Sequence, residues 1–202
     1  MKTYDVIFWD LDGTLIDTRQ RLYTLFRDLT GCSLSYDAYW HLKAQELKQK
    51  EMLTHVRYHG DLDAFRRLWL QNIESQDYLD KDTLVDNAEE ILRHLSAVGC
   101  QMYIVTNRQF IEPLLRQLRT LEIYHYFAQI LTTAQKCTKS ELIQQNGIIF
   151  TPSRTVFIGD SAEDMDAAKA LGIASVLIAK ENKTITATHY IKEIAELKNI
   201  LL

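Results

Sequence analysis

Continuous apolar runs alternate along the chain with segments whose apolar residues recur every three or four positions. Five runs predict strands: residues 5–10 (DVIFWD), 101–106 (QMYIVT), 127–132 (FAQILT), 155–159 (TVFIG) and 174–179 (ASVLIA). Several show no polar alternation, the pattern of strands covered on both faces. Residues 86–98 (DNAEEILRHLSAV) put Ile91, Leu92, Leu95 and Val98 on one helix face, and Gly99 supplies the stop. Residues 161–171 (SAEDMDAAKAL) repeat this design, with acids in the first turn and Gly172 past the end. Strand and helix in alternation predict an α/β fold with a parallel sheet and right-handed crossovers.

One region breaks the rhythm. Residues 18–83 show only helical patterns: 21–29, with Leu22, Leu25, Phe26 and Leu29 at helical spacing, then 36–56 and 61–73, with Gly60 between the last two. The expected organisation is therefore a core of residues 1–17 and 84–202 and an all-helical insert of residues 18–83. Residues 190–202 read as an amphipathic helix closing the core.

Composition changes this picture little. With 202 residues, 47% hydrophobic and 25% charged, the chain suits one large domain or a domain with an insert. A net charge of −4 points to neither nucleic acid nor an anionic membrane, while leaving room for a local cationic pocket. Cys32, Cys100 and Cys137 are odd in number and lack a C-x-x-C pair, which argues against a disulfide framework or a thiolate zinc site. Reduced thiols, no signal-peptide pattern and no run of membrane-spanning length make a cytoplasmic protein the expectation, as monomer or dimer.

Candidate chemistry lies where a parallel sheet binds ligands, at the carboxyl ends of its strands. The first strand ends in Asp10-Leu11-Asp12-Gly13-Thr14, the second in Thr106-Asn107 and the fourth in Gly159-Asp160-Ser161, with Asp164 one turn on. Lys139 opens the helix after the third. Taken singly, an Asp after a strand is a turn or N-cap residue and a lone Lys is solvated. Four acids, a hydroxyl, an amide and an amine at successive strand ends make a site the better reading.

These residues resemble the haloacid dehalogenase superfamily of phosphotransferases: DLDGT near the N-terminus, a strand ending in Thr-Asn, a downstream Lys, and G-D-S-x-x-D, in that order along essentially the whole chain. Within it, the chain looks like the phosphatase branch with a helical C1 cap, as in phosphoglycolate phosphatases and β-phosphoglucomutases. The resemblance implies a Rossmann-like core and a cap inserted after the first strand. It also implies a Mg²⁺ cofactor bound by Asp10 and Asp160 side chains and by the Asp12 backbone carbonyl, with Asp164 supporting the metal's waters or orienting Asp160 and Lys139.

The residue chemistry agrees. Asp10 can act as the nucleophile, forming an aspartyl phosphate. Asp12, two residues on, can point to the same side, protonate the leaving oxygen and later take a proton from water. Lys139, the Thr106 hydroxyl and nearby N–H groups can hold phosphoryl oxygens, with Asn107 at the same strand end. Gly13 allows a tight turn and close backbone approach. Two departures stand out. The family lysine is commonly followed by proline, whereas Ser140 follows Lys139 and Lys136 lies nearby; Lys139 is favoured over Lys136 because the helical run Glu141-Leu142-Ile143 starts directly after it. Trp9 replaces a frequent phenylalanine and keeps its site apolar.

Other patterns read as structure. His55 and His59 share a helical spacing, but Val56 stands where the zinc-protease pattern needs Glu. Leu62, Phe65, Leu68 and Trp69 form an apolar packing stripe, and Arg66-Arg67 a solvated face. The expected activity is Mg²⁺-dependent hydrolysis of a small phosphomonoester. A phosphomutase of the same fold is the main alternative. Dehalogenation fits less well, because a halide leaving group needs no proton from Asp12; a phospho-accepting signalling domain or an idle binding module fits less well again. Arg19, Arg21, His41, Lys43, Lys48 and Arg57 are the insert's candidates for substrate contact.

Overall fold

The computed structural model describes residues 2–45, 47–179 and 184–201. Its strands are β1 (Val6–Trp9), β2 (Ile16–Asp17), β3 (Thr83–Leu84), β4 (Gln101–Thr106), β5 (Gln129–Thr132), β6 (Thr155–Gly159), β7 (Ala174–Ile178) and β8 (His189–Ile191). Its α-helices are α1 (Arg19–Thr30), α2 (Tyr36–Ala44), α3 (Gln49–His55), α4 (Leu62–Asn72), α5 (Gln76–Leu79), α6 (Ala88–Ala97), α7 (Ile111–Thr120), α8 (Lys139–Gln145), α9 (Ala162–Leu171) and α10 (Lys198–Leu201). The chain divides into two compact units, Met1–Asp17 with Thr83–Leu202, and Thr18–Asp82.

The first unit is built on a six-stranded sheet in the order β5-β4-β1-β6-β7-β8, parallel throughout. Strand β1 is central, and its alternating side chains feed two cores. Ile7 and Trp9 pack with Ile91, Leu95, Leu114 and Leu118 of α6 and α7. Val6 and Phe8 pack with Ile143, Ala167 and Ala168 of α8 and α9. This is a three-layer α/β sandwich, and burial on both faces is why β1 reads as an unbroken apolar run. Each such side chain, fully buried, contributes about 1.5–3 kcal/mol. β2 and β3 form a separate antiparallel ribbon, with Asp17 opposite Thr83. That pairing puts Thr83 in the α/β unit and moves the boundary of the helical unit to Asp82.

Two sequence expectations for this unit need correction. The apolar run 127–132 forms a strand only from Gln129, because a 3₁₀ turn at Tyr124–Tyr126 precedes it. The tail is not one helix: His189–Ile191 pairs in parallel with Val176–Ile178 as a sixth strand. Beyond it, Ile194 and Leu197 follow 3₁₀ spacing into the core, and α10 adds the buried Leu201. Leu202, the last residue of that expected helix, lies outside the described residues.

The helical unit holds α1 to α5 around Phe26, Tyr39, Leu42, Met52, Leu53 and Phe65. The expected helix 36–56 is two helices, because Lys48 starts a new one with Glu51 accepting from its backbone N–H at 2.7 Å. Ser35 and Asp61 cap α2 and α4 through their side-chain oxygens. Of the stripe on α4, Leu62, Phe65 and Trp69 join the unit's aromatic core, while Leu68 is exposed. Arg21 is buried, 3.1 Å from Asp82 and donating to the Ile73 carbonyl, so it ties α1 to the end of the unit.

Candidate active site

Adjacent strands β5, β4, β1 and β6 end on one edge of the sheet, and the polar residues just past them converge. Asp10 follows β1, is 6% exposed, and its N–H donates to the Ile158 carbonyl at 2.9 Å. The chain then turns tightly: Gly13 donates to Ile16, and Leu15 and Ile16 both donate to Leu11. Gly13 has φ +89, and a Cβ there would collide with the Asp160 carboxylate. Two causes therefore select glycine at one position. Thr14, on the same turn, donates its hydroxyl to Asp10 Oδ2 at 3.2 Å.

Lys139 sits in the first turn of α8, where Thr138 and Glu141 form a reciprocal capping box. Its Nζ lies 2.5 Å from Asp10 Oδ1 and 2.6 Å from Asp164 Oδ1. Lys136 is exposed on the preceding loop, so the ammonium at Asp10 is that of Lys139. Asp164 is fully buried in the first turn of α9, its Oδ2 accepting from the Ser161 N–H at 3.1 Å and hydroxyl at 2.6 Å. Gly159 is needed because a Cβ there would overlap the Asp164 carboxyl group. The spacing G-D-S-x-x-D thus encodes one packed unit.

Burial raises the Asp10 carboxyl to about 8, with Asp164 and Asp160 adding to the rise and Lys139 opposing it. Burial alone would lower Lys139, but Asp10 and Asp164 outweigh it and hold the ammonium above its ordinary value. The two directions pull against each other across one short hydrogen bond. A lysine flanked by two carboxylates keeps its proton, so Lys139 is the charged partner and Asp10 carries excess negative surroundings. One oxygen from each of Asp10, Asp160 and Asp164 lies within 4.8 Å of the others. The three carboxylates offer a hard oxygen set that suits a divalent cation such as Mg²⁺.

The remaining expected residues sit at the same edge. Thr106 is buried at the end of β4, its carbonyl accepting from Thr133 N–H. The Asn107 amide is engaged sideways, accepting from the Thr133 hydroxyl at 2.9 Å and donating to Glu163 at 2.5 Å. Asp12 lies outside the three-carboxylate group, and both its oxygens accept from Arg108: Nε to Oδ2 at 2.8 Å and an Nη to Oδ1 at 2.7 Å. Arg108, itself 4% exposed, also donates to Gln117 Oε1 at 2.6 Å, and its carbonyl accepts from the Thr132 hydroxyl. Arg108, Gln117, Thr133 and Glu163 also line this edge without standing out in the sequence. The usable signals were a basic residue two places past Thr106 and a glutamine beside Leu114 and Leu118 on a buried helix face. His55 and His59 belong to no metal-binding group among the described residues, and no helix among those residues is long and apolar enough to cross a membrane.

Residues 6–178 match the family model described as haloacid dehalogenase-like hydrolase. A phosphoglycolate phosphatase of Pseudomonas savastanoi is 26% identical over 196 residues, covering 86% of this chain and 69% of its own length. The Bacillus subtilis HAD-hydrolase YfnB, solved bound to magnesium, superposes with a TM-score of 0.73 at 21% identity over 99% of both chains. A Thermotoga maritima structure titled as a β-phosphoglucomutase gives 0.70 at 16% identity, over 97% of both.

Proposed function

This chain belongs to the haloacid dehalogenase-like hydrolases, and from that premise we propose that it is a divalent-cation-dependent phosphatase of small phosphomonoesters, with phosphoglycolate-like acids the first class to test. The observation that carries the reading is the buried Asp10–Lys139–Asp164 chain of short hydrogen bonds with Asp160 beside it. A phospho-accepting nucleophile needs this: a carboxylate on a rigid strand end, a fixed cation beside it, and further acids for a metal. The phosphoglycolate phosphatase relatives favour that substrate class over a mutase reaction.

In this reading an oxygen of Asp10 attacks phosphorus and the ester P–O bond breaks as Asp12 gives a proton to the leaving oxygen. Asp12, now a carboxylate, takes a proton from a water whose oxygen attacks the aspartyl phosphate. The Asp10–phosphorus bond breaks, releasing phosphate and restoring Asp10. Lys139 and the Thr106 hydroxyl hold phosphoryl oxygens, and Thr14 keeps Asp10 from rotating. Mg²⁺, held by Asp10, Asp160 and the Asp12 backbone carbonyl, would offset the repulsion between a carboxylate and a phosphate dianion. Asp164 acts through Lys139, fixing the ammonium's direction. The helical unit is assigned the selection of the ester's organic group.

The test is a panel of phosphorylated metabolites plus an aryl phosphate, assayed with and without Mg²⁺ against an Asp10→Asn control. Turnover that needs both Mg²⁺ and Asp10 supports the reading. Turnover equal to that of the control would end it.

A further inference from the structure

A buried arginine fork is an unusual thing to aim at a proton-transfer group. Arg108 is 4% exposed and grips both oxygens of Asp12 in the bidentate geometry that fixes a carboxylate's plane as well as its position. Arg108 is held in turn through both its side chain and its backbone. Gln117, buried on α7, accepts from it at 2.6 Å, and the Arg108 carbonyl accepts from Thr132 at the end of β5. The neighbouring Thr133 pins Asn107, and Thr133 and Thr132 each accept a backbone N–H two residues on, from Gln135 and Ala134. Those two residues have positive φ, a conformation held here by these hydroxyls. Thus Asp12 is fixed by a chain of contacts running from β5 and α7, while the turn that carries it is fixed separately by β1. Asp12 itself is partly exposed, its side chain 31% accessible.

We propose that Arg108, braced by Gln117, is the positioning residue for Asp12 in the second half of the reaction. It holds the carboxylate form of Asp12 in the orientation that accepts a proton from the water attacking the aspartyl phosphate. The proposal rests on the phosphatase reading above. Arg108 touches no reacting atom; it acts through Asp12. A displacement of about 1 Å in such a group costs on the order of 10²-fold in rate, which is the effect the fork prevents.

The test uses 2,4-dinitrophenyl phosphate, whose phenolate leaves without help from an acid, so formation of the intermediate does not depend on Asp12. In Arg108→Met and Arg108→Lys the pre-steady-state phenolate burst should keep its rate within about twofold, while phosphate release slows about 10- to 100-fold. Gln117→Met, a gentler change that keeps the charge, should show the same split with a smaller loss. Thermal melts of each variant establish that it is folded. A merely structural role would slow both steps together, and that result would overturn the proposal. Full recovery in Arg108→Lys would overturn it too, because a point charge would then suffice and orientation would not matter. Absence of wild-type turnover above Asp10→Asn would instead overturn the phosphatase reading and the proposal with it.

Discussion

The α/β unit and the helical unit both bury charged side chains, and they do so in opposite ways. In the α/β unit, Asp10, Asp164, Lys139 and Arg108 are buried along one sheet edge, and the carboxylates outnumber the lysine that serves them. In the helical unit Arg21 lies 3.1 Å from Asp82, their side chains 4% and 0% exposed, and Glu74 is buried as well. The first arrangement gathers hard oxygen ligands around one ammonium at the sheet edge. The second joins Arg21, near the unit's start, to Asp82 at its end. Buried carboxylates gathered at strand ends mark a candidate for chemistry, whereas an ion pair between the two ends of one unit holds the chain.

Five outcomes break or sharpen that contrast. The largest belongs to Asp10→Asn, which should lower phosphatase turnover by about 10⁴-fold or more and leave the thermal transition nearly in place. A melt that falls as far as the activity would make Asp10 a structural residue. In the helical unit the order reverses. Phe65→Ala, removing the centre of the aromatic cluster, should cost about 3–5 kcal/mol in chemical unfolding, and a value under 1 kcal/mol would deny that the cluster holds the unit. Asp82→Ala should cost up to about 3–5 kcal/mol by taking away the carboxylate that faces the buried Arg21 guanidinium, whereas the double change Arg21→Met with Asp82→Leu should recover most of it. If the double variant is as unstable as the single one, the pair does more than match charge.

Smaller effects follow. Chelation should abolish turnover, and restoring Mg²⁺ to a hundredfold excess over its dissociation constant should raise unfolding stability by about 2.7 kcal/mol. Asp160→Asn should remove that Mg²⁺-dependent gain; an undiminished gain would place the ion elsewhere. The smallest effect is at the exposed Asp5, which Arg154 and Lys2 hold down to about 2. Because the folded-state value is depressed, its stabilisation is present above the ordinary value near 3.8 and fades as pH falls through about 2. The stability difference between wild type and Asp5→Asn should therefore shrink between pH 5 and pH 2, and a difference that grows on acidification would reverse the assignment.

How much of this was legible follows from where each signal is stored. The strands that build the site are central and doubly covered, so their apolar runs stand out, and their carboxyl ends carry Asp10, Thr106 and Asp160 in plain view. Gly13 was readable as a turn residue, but its second reason, room for the Asp160 carboxylate, is tertiary, and so is the room that Gly159 leaves for Asp164. β8 escaped because three residues at a sheet edge, two of them polar or half-polar, carry no periodicity. The break between α2 and α3 has no glycine or proline to mark it. Arg108 escaped for the plainest reason: its partner Asp12 is 96 positions away, and no local pattern encodes that distance.

The measurement that bears most directly on the central claim is the site of covalent phosphorylation. The enzyme is mixed with a turned-over phosphomonoester and Mg²⁺, quenched in acid within the first turnovers, digested and read by mass spectrometry. The expected result is a phosphoryl group on the peptide containing Asp10, absent in Asp10→Asn and discharged by water when the reaction is left to finish. Turnover with no phosphorylated peptide, or with the phosphoryl group on Asp12 or any other residue, would contradict it.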